Sequence, residues 1–406
     1  MNVPPSKASA RQAYWDVARA LLMFLGIPFH SALIYVTPGF GVYAVENSLA
    51  LQYMETAIHS FRMQAFFLVS GYFAGLLLAR RSPNLWVKDR FIRLGIPLLA
   101  CIFLVNIPQT WLTVWGMEAA QPRDMAQANQ RFLALLTTPG RQWLSHLWFL
   151  VVVLEYSALT ALAHHRWPRL QHLLVPPKVV EFVIRHLTLV LLVFMIGAGT
   201  FWVAARVFLS VTGLYDNTFA TLLALNDFLV YAPFFMAGIV LSRAPALLET
   251  FTTPRPLLWI GAASMVTVVS CGQHYYGSDS NIGKALMSFV GAFSGMLMAH
   301  VVLSGARRWF DRPNPIVTSL VGGAMAIYIV HQPVLKLLGI VMFRVDWPAG
   351  VEFTLIVILT FLISYLIYLL ARRNVWTNLF LNGVKPKDPP KSAPVPPGVD
   401  SRSLAG

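Results

Sequence analysis

The fold class predicted for this chain is all-α: a polytopic membrane bundle of about ten transmembrane helices with both termini in the cytoplasm. Three observations predict it. Hydrophobic residues make up 57% of the 406 residues and charged residues only 12%, where a soluble domain carries about 25% charged residues. The apolar residues fall in runs long enough for helices, which satisfy their own backbone hydrogen bonds in lipid, rather than in the short alternating runs of a barrel. Loops rich in Lys and Arg alternate with loops nearly free of them, the pattern of positive-inside bias.

Taken in order, the spans run near 15–36, 52–79, 94–115, 143–164, 187–210, 226–243, 256–273, 283–304, 319–342 and 352–371. The basic loops are Arg80 to Arg93, His164 to His186, the turn with Arg243 and Arg255, and Ala306 to Arg312, and the tail begins with Arg372-Arg373. The loops Thr37 to Leu51, Thr212 to Leu225 and His274 to Ile282 carry neither Lys nor Arg. Residues 1–13 read as a cytoplasmic segment, 14–375 as one membrane domain, and 376–406 as a cytoplasmic, disordered tail, rich in proline, serine and lysine from Lys385 onward. The first apolar run is no cleavable signal peptide: it is too long, contains Arg19 and His30, and lacks a small-residue cleavage site. No internal repeat of the transporter kind is evident.

Composition also excludes function classes. The net charge of +14 sits in alternating loops, not in a block interleaved with aromatics, so no nucleic-acid partner is expected. Cys101 and Cys271 both lie in apolar runs, and neither a disulfide nor a metal site is expected from them; His164, His165 and His172 lack convergent ligand partners.

The first span carries the strongest chemical signal. Arg19 and His30 lie in it eleven residues apart. At about 100° per residue this places them on one helical face, roughly 16 Å apart along the axis. Ionisable groups at that depth usually line a pathway or a reaction centre. Asp16, Met23 and Ile27 continue the same face. Pro28 cannot donate to the carbonyl of Phe24, so a kink is expected just before His30. Imidazole suits proton transfer near neutral pH. Glu55, His59 and Arg62 form a second polar face at the start of the second span. Arg90 and Arg93 are three apart, on one helical face at the cytoplasmic edge. Glu155 needs a partner, Asn226 and Asp227 suit a cap of the sixth helix, and Trp111, Trp115, Trp143, Tyr215, His274, Tyr275, Tyr276 and Trp347 fit interfacial belts or sugar stacking.

These residues resemble a known family. The segment Tyr14 to Tyr35 resembles the opening helix of the acyltransferase-3 family of multi-span membrane acyltransferases, in which an arginine and a histidine have this spacing. The aromatic run Phe61 to Phe73 ending in Ser70-Gly71, then Arg90-Phe-Ile-Arg93 before Pro97, then His146-Leu-Trp148-Phe-Leu150 and Ile327-Tyr-Ile-Val-His331, follow in family order. Within the family, Gly26-Ile-Pro-Phe-His30, Phe61-Arg-Met-Gln64 and Ser145-His-Leu-Trp-Phe149 resemble the branch whose members succinylate osmoregulated periplasmic glucans.

The resemblance implies a bacterial inner-membrane enzyme with no permanently bound cofactor. Acyl-CoA, succinyl-CoA foremost, is the donor, a periplasmic glucan is the acceptor, and glucan-synthesis machinery is a partner beside the lipid bilayer. On that reading His30 and Arg19 are catalytic, His30 as base or as nucleophile, with the base favoured. Arg90 and Arg93 hold the coenzyme A phosphates. Asp16, Glu55, His59, Arg62, His146, Trp148 and His331 are the remaining substrate-site candidates. Arg62 suits the second carboxylate of succinate. The rival readings are O-acetylation of lipopolysaccharide or exopolysaccharide and, from another class, proton-coupled secondary transport through Arg19 and His30.

Overall fold

The computed structural model describes residues 7–36, 40–44, 47–120, 125–276, 280–310, 314–345 and 347–385. They are mostly helical, with no strand among them, and ten stretches are long and apolar enough to cross a membrane. The first comprises α1 (Lys7–Phe24) and α2 (Gly26–Leu33), and the second is α3 (Leu49–Leu78). The third runs from Pro83 to Gly116 through α4 (Pro83–Arg90), a π-turn (Phe91–Gly95), α5 (Ile96–Cys101), a second π-turn (Ile102–Asn106) and the start of α6 (Ile107–Ala120). After α7 (Met125–Thr137), the fourth joins α8 (Arg141–Leu144), a 3₁₀ turn (Ser145–Leu147) and α9 (Trp148–Arg166).

The connecting helices of the second half are α10 (Pro177–Arg185), α12 (Thr218–Leu222) and α14 (Pro245–Phe251). The remaining spans are α11 (Leu187–Val211), α13 (Leu225–Ser242), α15 (Pro256–Tyr276), α16 (Asn281–Trp309), α17 (Pro315–Met342) and α18 (Ala349–Ala371), and α19 (Val375–Asn382) follows.

The α1–α2 break falls at Leu25, one turn before Pro28, where the missing proline N–H leaves the Phe24 carbonyl without its helical donor. α3 is the buried axis of the bundle, and its closest neighbour is α13. Two glycines let these helices touch backbone to backbone. A Cβ on Gly71 would lie 1.9 Å from the Phe235 carbonyl oxygen, and one on Gly238 would lie 2.0 Å from that of Leu68. Small residues at a crossing are the usual means of close packing in lipid, where no hydrophobic drive brings helices together. Gly71 of the aromatic run is thereby explained as packing. Around it, Trp15 stacks on Tyr72 at 3.8 Å and Phe67 on Tyr231 at 4.9 Å. Where the chain leaves α2, Tyr35 donates to Glu352 at 3.0 Å, and burial together with that carboxylate pushes the tyrosine pKa up.

Several expectations are corrected. α1 begins at Lys7, so part of the 1–13 segment extends the first helix. The third span starts at Pro83 and takes in the basic stretch that reads as a loop. The 376–406 tail is not wholly irregular: Asn374 caps α19, which packs on α5, α17 and α18 and presents enough apolar surface for that, while residues 386–406 lie outside the described residues. Asn226 and Asp227 do not cap α13, whose N-cap is Ala224; Asp227 instead lies 3.5 Å from Arg141. His164 is a buried residue of α9, bonded to the Thr160 carbonyl at 2.8 Å. The partner expected for Glu155 is not found for its Oε2, which is buried without a hydrogen bond among the described residues. The side chains of His274, Tyr275 and Tyr276 lie outside the described residues.

Candidate active site

Three histidines converge where α2, the 3₁₀ turn and α17 meet. His30 Nδ1 lies 2.8 Å from His331 Nε2, and the rings of His146 and His331 are 5.3 Å apart. The partners fix the hydrogens. His331 Nδ1 bonds the Tyr328 carbonyl oxygen, which only accepts, so that nitrogen carries the hydrogen. In the neutral ring, Nε2 is then a lone pair and His30 Nδ1–H donates to it. Neutral His30 is left with its lone pair on Nε2, the nitrogen that makes no hydrogen bond to any described residue. The arrangement holds a base in one tautomer by backbone anchoring of its neighbour.

His146 is placed by a proline. Pro333 lies inside α17 and has no N–H for the carbonyl of Ile329, four residues earlier. His146 Nε2 takes that carbonyl at 2.9 Å, and its Nδ1 remains buried without a hydrogen bond. The preceding residue, Ser145, has φ +48°, a left-handed conformation uncommon for a side chain with a Cβ. A polar clamp secures it. Ser145 donates to Gln332 Oε1 at 2.7 Å, Gln109 Nε2 reaches the same oxygen at 2.9 Å, and Asn106 donates to the carbonyls of Trp143 and Leu144 at 2.9 and 3.1 Å. Strain of this kind persists where surrounding contacts over-determine it.

Two cations flank the histidines. Arg62 is 4% exposed; its guanidinium lies over Phe29 at 4.6 Å, and its Nε and Nη1 are buried without hydrogen bonds. Gly26 makes room for it, because a Cβ there would fall 2.6 Å from Arg62 Nη1. Lys336 is buried, 3.3 Å from the Thr113 hydroxyl and over Phe40 at 4.7 Å. Among the described residues neither cation forms an ion pair, so this centre is electropositive and suited to negative charge developing on a reacting oxygen.

Toward the other end of α1, Arg19 pairs with Asp16 at 2.9 Å and lies over Phe73 at 5.2 Å. Arg90 and Arg93 come near enough for mutual repulsion with Arg19. The expectation that Arg90 and Arg93 share one α-helical face is corrected. The π-turn Phe91–Gly95 interrupts the helix between them; Arg90 is half-buried over Trp86 at 5.4 Å, while Arg93 is exposed. π-turns of this kind recur at functional sites. Gly383, with φ +63°, closes against the turn from α19, where a Cβ would lie 2.0 Å from the Arg93 carbonyl oxygen.

Glu55 and His59 face a cavity of about 430 Å³ on the opposite half of α3. His59 also stacks on Phe29 at 5.4 Å. Trp148 stands outside the histidine cluster, half-buried, stacked on Tyr231 at 5.8 Å with Arg141 over its ring at 5.9 Å. The structure thus joins His30, His146, His331 and Arg62 at one centre and Arg19, Asp16, Arg90 and Arg93 at another, and sets Glu55 and His59 in an adjoining chamber. Sequence reasoning missed Ser145, Gln109, Gln332 and Tyr328 as supports and left Lys336 without a role. The available signal was a polar residue in an apolar run, with Pro333 marking a freed carbonyl. Among the described residues no group of three or more His, Cys, Asp or Glu side chains is arranged to hold a metal ion.

Residues 12–369 match the family Acyl_transf_3, described as an acyltransferase domain. The chain is 30% identical over 334 residues to Glucans biosynthesis protein C of Salmonella gallinarum (strain 287/91 / NCTC 13346), covering 82% of this chain and 85% of that protein. The proteins of the same name from Salmonella heidelberg (strain SL476) and Salmonella typhimurium (strain LT2) are 29% identical over the same shares. No solved structure matches the chain significantly. With ten stretches long and apolar enough to cross a membrane among its described residues and a match across most of its length, the chain belongs to the acyltransferase-3 family of multi-pass membrane acyltransferases.

Proposed function

We propose that this protein moves a short acyl group, succinyl foremost, from cytoplasmic acyl-CoA to a hydroxyl of osmoregulated periplasmic glucans, and that it does so in the bacterial inner membrane. The single observation that carries the mechanism is the free Nε2 lone pair of His30, fixed through His331 to the Tyr328 carbonyl. The name of the relatives, glucans biosynthesis protein, supports the acceptor class.

The arginines favour the donor assignment. Arg19, Arg90 and Arg93 offer separated cationic groups at one end of the bundle, which suits the several phosphates of coenzyme A. The pantetheine arm then spans the distance to His30, about 16 Å by helical rise. His30 Nε2 removes the proton of the glucan hydroxyl as its oxygen attacks the thioester carbonyl. Arg62 and Lys336 stabilise the oxyanion. Collapse breaks the carbon–sulfur bond, and His30 gives the proton it took to the departing thiolate, which leaves as the thiol while the neutral imidazole is restored. The products are an O-acyl glucan and free coenzyme A, with atoms and charge balanced. A dicarboxylic acyl group also gives Arg62 a carboxylate to pair with.

Mass spectrometry of periplasmic glucans from cells carrying wild-type protein, His30→Ala or no protein tests the reading. A succinyl increment present only with wild type supports donor, acceptor and site together. Unmodified glucans in all three cells refute the glucan assignment and direct the search to acetylated surface polysaccharides. Recovery of acylated His30 in the absence of glucan replaces the base by a nucleophile.

A further inference from the structure

The chamber beyond Phe29 is not needed for base catalysis, yet its polar lining runs from buried Gln64 through half-buried Glu55 and Arg206 to exposed His59, Gln273 and Lys284 at its mouth. Phe29 packs edge-on against His30 at 4.9 Å and face to face with His59 at 5.4 Å, so one aromatic ring separates the chamber from the histidine centre. Its 430 Å³ lie within the range of small-molecule sites, about 300–1,000 Å³. The polar lining comes from helices distant in sequence: Glu55, His59 and Gln64 of α3, Arg206 of α11, Gln273 of α15 and Lys284 of α16.

Its hydrogen bonding is incomplete in both senses. On the accepting side, Gln64 gives Nε2 to the Ser60 carbonyl at 2.9 Å, but its Oε1 is buried with no partner. Glu55 receives the Thr56 hydroxyl at 3.1 Å and forms no ion pair among the described residues. On the donating side, Arg206 uses Nη1 on Ser288 at 3.0 Å and keeps its other N–H groups. The Lys284 ammonium bonds no described residue.

Those needs select the ligand. An anion would satisfy Arg206 and Lys284 but would be repelled by Glu55 and would leave Gln64 Oε1 unpaired. An alkyl chain would satisfy nothing. A polyhydroxylated ring gives O–H donors to Gln64 and Glu55 and oxygen acceptors to Arg206 and Lys284. We infer that this chamber seats a sugar unit of the hydroxyl-bearing acceptor. The inference deepens the glucan reading and rests on it.

The test uses the full-length protein in lipid nanodiscs, with Glu55→Gln, Lys284→Gln, Arg206→Gln and Gln64→Met variants. Transfer from succinyl-CoA is measured against the concentration of a gluco-oligosaccharide, and succinyl-CoA binding is measured separately as the control for folding. The expected result is a rise of about tenfold in oligosaccharide KM for each variant, with succinyl-CoA affinity unchanged. Unchanged oligosaccharide KM in all four variants overturns the proposal while leaving the transfer reaction intact.

If wild type transfers nothing to glucan, binding alone decides. Saturation-transfer NMR with the oligosaccharide should then show contacts that Glu55→Gln and Lys284→Gln lose. Absence of those contacts in wild type, or their displacement by free succinate at matching concentration, would sink the sugar assignment.

Discussion

The arginine end and the chamber end of this bundle are both rich in cations, but they hold them differently. Arg19, Arg90 and Arg93 stand near one another with Asp16 as the one acidic partner of Arg19, over the aromatic rings of Phe73 and Trp86, and Arg93 is open to its surroundings. Arg206 and Lys284 line a cavity, open on one side, with Glu55, Gln64 and Gln273. The first arrangement suits a charged ligand and offers little else to read. The second asks for a partner that donates and accepts at once. The difference teaches that net charge alone does not identify a ligand; the balance of unsatisfied donors and acceptors does.

The largest effect is expected at the junction of the two ends. His30→Ala should lower transfer by about 10²–10⁴-fold, measured as initial rate with both substrates saturating, because that ring is the proposed base. An unaffected rate would separate the ends from the centre altogether. Next comes His331→Ala, which removes the group that orients His30. A fall in kcat of roughly tenfold to a hundredfold with both KM values unchanged is expected, and His331→Gln, which retains an acceptor, should recover part of it. A rise in either KM with normal kcat would make His331 a binding residue instead.

The paired change Arg90→Ala with Arg93→Ala sharpens the comparison directly. Donor KM should rise about tenfold, and added salt should raise donor KM in wild type but not oligosaccharide KM, since pairing of charges with phosphates is screened and hydrogen bonds to neutral hydroxyls much less so. Equal salt sensitivity at both ends would erase the distinction. The smallest catalytic effect belongs to Gly71→Ala. Its added carbon meets the Phe235 carbonyl, so a loss of about 1–3 kcal/mol of stability, read as a lower melting temperature in detergent, is expected with both KM values little changed.

Much of this plan was legible in the chain. Ten apolar runs and alternating loop charge mark the spans because lipid imposes one length and one sign rule on every helix. Arg19 and His30 stand out because ionisable groups are costly there. The supports of the centre were not legible in the same way. Gln109, Ser145 and Gln332 meet from three separate spans, and no local spacing announces a contact across such sequence distances. Arg206 and Lys284 resemble ordinary helix-end cations until α11 and α16 are packed against α3. The face shared by Arg90 and Arg93 was misjudged because a π-turn has no clear residue signature and changes the rotation between neighbours. α19 escaped notice because eight residues after a basic pair carry too little apolar pattern to announce a helix, and its order comes from docking.

Pro333 places fold and chemistry in opposition within one helix. Ordinary selection for a sturdier span would favour an amide at that position, since it would restore a rung of the α17 ladder. That rung would claim the Ile329 carbonyl and turn His146 out of its seat. Improving the helix and preserving the reaction centre are therefore competing demands at residue 333, and a thermostabilising campaign that scores backbone regularity alone would choose the wrong one.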